Sequence, residues 1–288
     1  MIKKDEFIFY TMPCTKAAAI YYDPETESRA CLLYFHGGGL VYGSKEDLPA
    51  LHLQTLCEQG FRIIAFDYPL APQASIGEIL EDVIDSINAY IQGSVDPPAA
   101  SLPFFLWGRS AGAYLCLLAL ASGRLQAIPR GLLSFYGYGL LTDHWFDAPS
   151  PHYCQLPSAV LPSAFLSQNP ASATQPPVMK RSLEEGFSLY VYGRQTGMWP
   201  KLLYHEPMKS FYQDYSLRFC DTLPASLFCA HSIGDPDVPF AEFSALREKY
   251  AADSFIASGT LHDFDRIESS SAAKRLLHTA SSFLERHL

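Results

Sequence analysis

Four short and nearly unbroken apolar runs constrain this chain most: Cys31 to Phe35, Phe61 to Phe66, Phe104 to Trp107 and Gly131 to Phe135. A strand that is apolar at successive positions has both faces covered, the condition of a parallel sheet with helices above and below it. The segments between the runs read as helices. In the best supported of them Ser75 and Glu78 form a capping box, and Ile76, Ile79, Leu80, Val83, Ile84, Ile87 and Ile91 recur at spacings of three and four, with Gly93 marking the end. Further helices are predicted from about Asp47 to Gln59 and from Ala111 to Ser122. Two β-leaning stretches, Phe7 to Tyr10 and Ala17 to Tyr22, precede the first run. Strand, helix, strand is the unit of a parallel α/β sheet.

From Tyr138 to about Leu223 that alternation stops. The stretch is rich in proline and aromatics (Trp145, Phe146, Tyr153, Phe165, Phe187, Tyr190, Tyr192, Trp199) and carries no buried-strand signature, so an inserted cap of short helices is predicted at 138–223. Most of these aromatics are expected to form the cap's own small core. The alternation then returns with a strand at Ser226 to Ala230, a helix at Ala241 to Ala251, a strand at Ser254 to Ala257 and a final amphipathic helix carrying Leu276, Leu277, Ala280, Phe283 and Leu284. The main α/β domain is thus expected to comprise residues 1–137 and 224–288.

A net charge of −9 argues against nucleic acid or an anionic membrane as partner, since both require a positive face. The amino terminus has no apolar signal-peptide core and no segment approaches a membrane span, so a cytoplasmic location without membrane insertion is expected. Seven scattered cysteines, none in a C-x-x-C pair, fit reduced thiols serving as small core side chains.

Gly108-Arg109-Ser110-Ala111-Gly112 follows a predicted strand and opens a predicted helix, a setting that lifts the serine out of a sharp turn. A serine nucleophile needs a base and a carboxylate to orient it. In a parallel sheet such groups belong on loops at the carboxyl ends of strands. Of the nine histidines, His262 sits on such a loop; Asp235 lies on the preceding one, with Asp237 as its rival for the acid. His231, at a strand end, is expected to pack rather than react, and His278 and His287 to lie on the surface. The run His36-Gly37-Gly38-Gly39 lets backbone N–H groups approach a substrate oxygen, so the amides of Gly37, Gly38 and Ala111 are the expected oxyanion donors, with His36 holding the loop.

With His36 to Gly39, the segment Asp67-Tyr68-Pro69-Leu70-Ala71-Pro72, Gly108 to Gly112, Gly234 to Pro239 and Leu261 to Phe264, the chain resembles the α/β-hydrolases, and among them the esterase and lipase branch that includes hormone-sensitive-lipase-like carboxylesterases. The resemblance implies a mostly parallel central sheet flanked by helices on both faces, with an inserted helical cap. It implies Ser110 as nucleophile, His262 as base and Asp235 as its partner, with no metal and no organic cofactor. The implied substrate is a small ester with a short or medium acyl chain. Arg109 departs from the pattern, standing where an acidic residue is common in that branch. Two other readings stay open: a peptidase or amidase, in which Glu184 and Glu185 would bind an amino terminus, and a non-catalytic binder of small ligands on the same scaffold.

Overall fold

Alternate residues of strand β3 (Ala30–Phe35) point to opposite faces, and both faces are buried: Cys31, Leu33 and Phe35 enter one apolar cluster, Ala30, Leu32 and Tyr34 another. The computed structural model describes residues 1–11, 14–159, 178–181 and 183–288. The other strands are β1 (Lys3–Thr11), β2 (Cys14–Tyr22), β4 (Phe61–Phe66), β5 (Phe104–Arg109), β6 (Gly131–Phe135), β7 (Ser226–Ser232) and β8 (Asp253–Ala257). They form an eight-stranded sheet in the order β1-β2-β4-β3-β5-β6-β7-β8. Strands β3 to β8 run parallel, whereas β2 joins β4, and β1 joins β2, antiparallel. The expected mostly parallel sheet is present.

Helices α1 (Ala50–Glu58), α2 (Ile76–Ile91) and α3 (Ala111–Ala121) belong to the first half of the sheet. The capping box of Ser75 and Glu78 forms in both directions, and Ile76, Ile79, Leu80, Val83, Ile84 and Ile87 are buried on one face of α2. Such a cap is worth about 1 kcal/mol. Helix α1 starts later than the expected Asp47, because Pro49 occupies its N-cap and a residue preceding proline is driven out of helical geometry.

Between β6 and β7 the described residues form α4 (Leu183–Thr196), α5 (Trp199–Leu203), α6 (Met208–Asp214) and 3-10 turns. The expectation that their aromatics form a separate small core is corrected: Phe146, Tyr153, Tyr190 and Trp199 belong to the same apolar cluster as the residues of the sheet and of α2 and α3. Phe187 is 38% exposed, and Phe165 lies outside the described residues. Helices α7 (Phe240–Lys249) and α8 (Ser271–His287) complete the layers. Helices α1 and α8 contribute to one apolar cluster, α2, α3 and α7 to the other, so helices cover both faces of the sheet. Among the described residues no helix is long and apolar enough to cross a membrane. Cys31, Cys57, Cys116 and Cys229 are buried, as expected of core residues, whereas Cys154 is exposed and Cys220 half-buried.

Strand order reverses at β3, with β4 on one side and β5 on the other. The carboxyl ends of β3 and β5 meet at this switch point, the place where ligands bind in open α/β sheets. Just beyond the carboxyl end of β6, the fully buried Glu242 of α7 accepts N–H bonds from Gly139 at 2.9 Å, Leu140 at 2.5 Å, Leu141 at 2.8 Å and Thr142 at 3.2 Å. One carboxylate thereby satisfies four successive N–H groups of the chain leading away from β6. Glu242→Ala strands those donors in the core and is expected to destabilise the protein by about 3–5 kcal/mol, as a lower urea midpoint at unchanged slope.

Candidate active site

The turn between β5 and α3 is built on close backbone contact. Ser110 has φ 51° and ψ −117°, a geometry that costs a non-glycine residue about 1–3 kcal/mol. A Cβ on Gly108 would lie 2.3 Å from the nitrogen of Ala113, and one on Gly112 would lie 2.1 Å from the carbonyl oxygen of Phe35. Both flanking glycines are therefore required by contact, the first under α3 and the second against the end of β3.

His262 comes to this turn from the loop after β8. The Ser110 hydroxyl donates to its Nε2 at 2.9 Å, and its Nδ1 donates to Asp235 Oδ2 at 2.7 Å. The other oxygen of Asp235 accepts the N–H groups of Asp237 at 2.8 Å and Val238 at 3.0 Å. Serine, imidazole and carboxylate thus form one unbroken relay. Asp237 lies on the other side of the ring, with Oδ2 3.9 Å from Nε2. Between the two candidates for the acid, it is Asp235 that contacts Nδ1.

Burial disfavours the charged form of both partners in the relay, but their attraction prevails. The Asp235 carboxyl is held below the usual carboxylate range by the His262 charge and hydrogen bond, with His231 and the Asp237 N–H adding to the effect. The His262 imidazole is pushed up to about 9 by Asp235, Asp237 and Asp263. His231 packs as expected: it is buried, stacks on Phe243 and donates from Nε2 to the carbonyl of Val238 at 2.9 Å. Burial lowers its pKa despite the nearby Asp235. His278 is exposed and His287 half-buried against Phe283.

The glycine loop lies directly on the turn. A Cβ on Gly37 would sit 3.2 Å from the Arg109 carbonyl oxygen and 3.4 Å from Ser110 Cβ, while Gly38, at φ +100°, turns the chain so that its carbonyl accepts from Val41 and Tyr42. His36 is buried beneath, stacked on Tyr68 at 4.2 Å and donating from Nδ1 to the Gly37 carbonyl at 2.7 Å. The Tyr68 hydroxyl donates to the His36 carbonyl at 2.8 Å. Ala111 is the first residue of α3, and the first four N–H groups of a helix have no partner within it. Gly37, Gly38, Ser110 and His262 line one cavity of about 410 Å3, together with Tyr42, Tyr136, Tyr190 and Asp237. Glu184 and Glu185 are exposed in the first turn of α4 and are not among its lining residues.

Arg109 has a role the sequence did not disclose. It is buried, and its Nη2 donates at 3.1 Å to Asp265, which also accepts from Tyr136 at 3.0 Å and from His52 at 2.9 Å. The Arg109 Nε donates to the Tyr136 hydroxyl, and the Tyr136 ring packs edge-on against His262 at 4.8 Å. The residue before Ser110 is therefore joined by buried charge to the loop that carries His262. The available signal was Arg109 itself: a cation between two buried apolar runs requires a counter-charge.

A model of the alpha/beta hydrolase fold family matches residues 32–195. Among solved structures, a protein of unknown function from Staphylococcus aureus is 26% identical with a TM-score of 0.79, covering 99% of this chain and 98% of that one. An alpha/beta hydrolase superfamily protein from Enterococcus faecalis is 25% identical with a TM-score of 0.81, covering 99% of both chains. A thermophilic carboxylesterase from a metagenomic library, 17% identical with a TM-score of 0.70 over 99% of this chain and 89% of that one, shares the fold. A non-reducing polyketide synthase of Emericella nidulans is 25% identical over 277 residues, which are 85% of this chain and 11% of the synthase. The chain thus spans only about a tenth of the length of that relative.

Arg109→Met leaves the Asp265 charge buried without its cation and is expected to cost about 3–5 kcal/mol in urea unfolding. Arg109→Met combined with Asp265→Leu is expected to cost less than the sum of the single changes, because the uncompensated charge is gone.

Proposed function

The chain belongs to the alpha/beta hydrolase fold family, and from that premise we propose that it is a serine hydrolase cleaving small carboxylic esters through an acyl-enzyme on Ser110. The observation that carries this reading is the relay from Asp235 through His262 to Ser110, with Gly37 and Gly38 facing the same cavity. In this mechanism the Ser110 oxygen attacks the ester carbonyl as His262 Nε2 takes its proton. The carbonyl oxygen becomes an oxyanion held by the N–H groups of Gly37, Gly38 and Ala111. Collapse breaks the bond to the alkoxy oxygen, which leaves with the proton from Nε2 as an alcohol. Water, deprotonated by the same nitrogen, then attacks the acyl-enzyme and releases the acid.

Residues 138–223 are assigned to a cap over this site, a reading supported by Lys180, Arg181, Leu183 and Tyr190, which reach the cavity wall from that segment. A space of about 410 Å3 suits a short or medium acyl group and a small alcohol. The peptidase reading loses its one hint, since neither Glu184 nor Glu185 lines the cavity.

Treatment with a fluorophosphonate is expected to give a single adduct on Ser110 by mass spectrometry, and Ser110→Ala to lower kcat on nitrophenyl esters by at least about 10³. Absence of both effects would overturn the reading. The base must be neutral to accept a proton, so a pKa raised to about 9 predicts that kcat/KM climbs with pH toward a plateau above that value. Asp237→Asn, which removes one of the charges raising it, is expected to shift the climb to lower pH.

A further inference from the structure

Asp237 presents a carboxylate to the cavity that holds Ser110 and His262. Its side chain is 8% exposed, and it faces Nε2, the nitrogen that serves the nucleophile, rather than Nδ1, which Asp235 occupies. Three groups of the 138–223 segment hold it. The Tyr190 hydroxyl donates to the carboxylate, 2.8 Å from Oδ1 and 2.9 Å from Oδ2, the Tyr153 hydroxyl is a second donor toward it, and Arg194 offers charge with Nε at 3.5 Å, outside hydrogen-bond geometry. Arg194 spends a hydrogen bond instead on the Asp237 main-chain carbonyl, at 2.9 Å. An ionised carboxylate accepts at about four positions, more than these contacts fill.

The position of this spare capacity relative to the reaction is set by Nε2. The leaving oxygen takes its proton from that nitrogen, so it passes within about 2.6–3.2 Å of it. Asp237 Oδ2, 3.9 Å from the same nitrogen, is then in reach of a substituent on the next carbon of the departing alcohol. An alkyl group there strips water from the carboxylate and returns nothing, whereas a hydroxyl restores the lost bond. Arg194 already offsets the negative charge, so a neutral donor meets the need better than a second cation.

We propose, resting on the esterase reading above, that Asp237 makes this enzyme selective for esters whose leaving alcohol carries a second hydroxyl on the carbon next to the ester-bearing one, that is, monoesters of vicinal diols and polyols. The test compares kcat/KM for 2-hydroxyethyl butyrate and propyl butyrate, which differ by a hydroxyl in place of a methyl, each divided by its rate of hydroxide-catalysed hydrolysis. The wild-type protein is expected to favour the hydroxyethyl ester by about tenfold or more after this correction. Asp237→Leu is expected to bring the ratio below about threefold, and Asp237→Asn, which keeps one acceptor oxygen, to leave an intermediate ratio. Tyr190→Phe removes one of the carboxylate's own donors and is expected to raise the ratio. It also carries the assignment if Asp237→Leu does not fold by circular dichroism, and an unchanged ratio in Tyr190→Phe would then overturn it.

If wild-type turns over both esters above the Ser110→Ala level with no preference, the selectivity is overturned and ester hydrolysis stands. A preference that appears instead on the acyl side, with methyl 3-hydroxybutyrate favoured over methyl 3-methylbutanoate, overturns it as well. If neither butyrate exceeds the Ser110→Ala level, the esterase reading fails and takes this inference with it.

Discussion

The site depends on a contact between two stretches of backbone, the carbonyl end of β3 and the first turn of α3. That contact exists because Gly112 has no Cβ; any side chain there would have to occupy the space of the Phe35 oxygen, 2.1 Å away. The approach draws α3 down onto the sheet, forces Ser110 into its strained conformation and brings the glycine loop of β3 over the same turn. The strain is held by what surrounds it. Every residue of β5 and nearly all of α3 is buried, and burying a single Leu-sized side chain stabilises by about 1.5–3 kcal/mol, enough to offset one strained residue. Register does the rest: Phe35 pairs with Gly108, so the loop leaving one strand begins beside the turn leaving the other.

His262 lies between two buried charge systems that act on it differently. Asp235 and Asp237 act through the ring nitrogens, one by a direct hydrogen bond and the other across space. The group of Arg109, Asp265, Tyr136 and His52 acts through position, since Asp265 follows His262 on the same loop and Tyr136 meets the face of the ring. A buried ion pair of this kind adds little net stability because desolvation consumes most of the Coulomb energy. Its value lies in fixing which arrangement of the loop is tolerated: one that moved Asp265 away from Arg109 would take a buried carboxylate from its guanidinium partner and leave Arg109 with Asp47 alone, 3.6 Å away.

Much of the scaffold was legible because its causes are local. The runs at Phe61 to Phe66 and Gly131 to Phe135 coincide with strands, and the Ser75–Glu78 box starts α2 where its chemistry requires. The relay could be located from loop position after β7 and β8, although only coordinates show Nδ1 meeting Asp235 rather than Asp237. Other features depend on chain-distant partners. Arg109 and Asp265 stand 156 positions apart, and nothing near either names the other. Glu242 looks like an ordinary first-turn acid of a helix, since its partners are main-chain N–H groups that any sequence would supply. The aromatics of 138–223 were misjudged for a related reason: composition shows that such side chains need burial but not against what, and Phe146, Tyr153, Tyr190 and Trp199 find it in the main core.

The contacts of α4 and α5 bear on how a ligand gets in. Tyr190 rests where a Cβ of Gly39 would be, its hydroxyl is tied to Asp237, and the Trp199 indole donates to the Gly39 carbonyl at 2.8 Å. Swinging these helices outward as a rigid flap would rupture all three attachments together and wet an aromatic seam continuous with the sheet. Rotating exposed side chains such as Leu183 at the rim breaks none of them. A ligand that enters without rupturing these attachments has to pass an opening whose width the rim side chains set, so that its girth counts before its chemistry does.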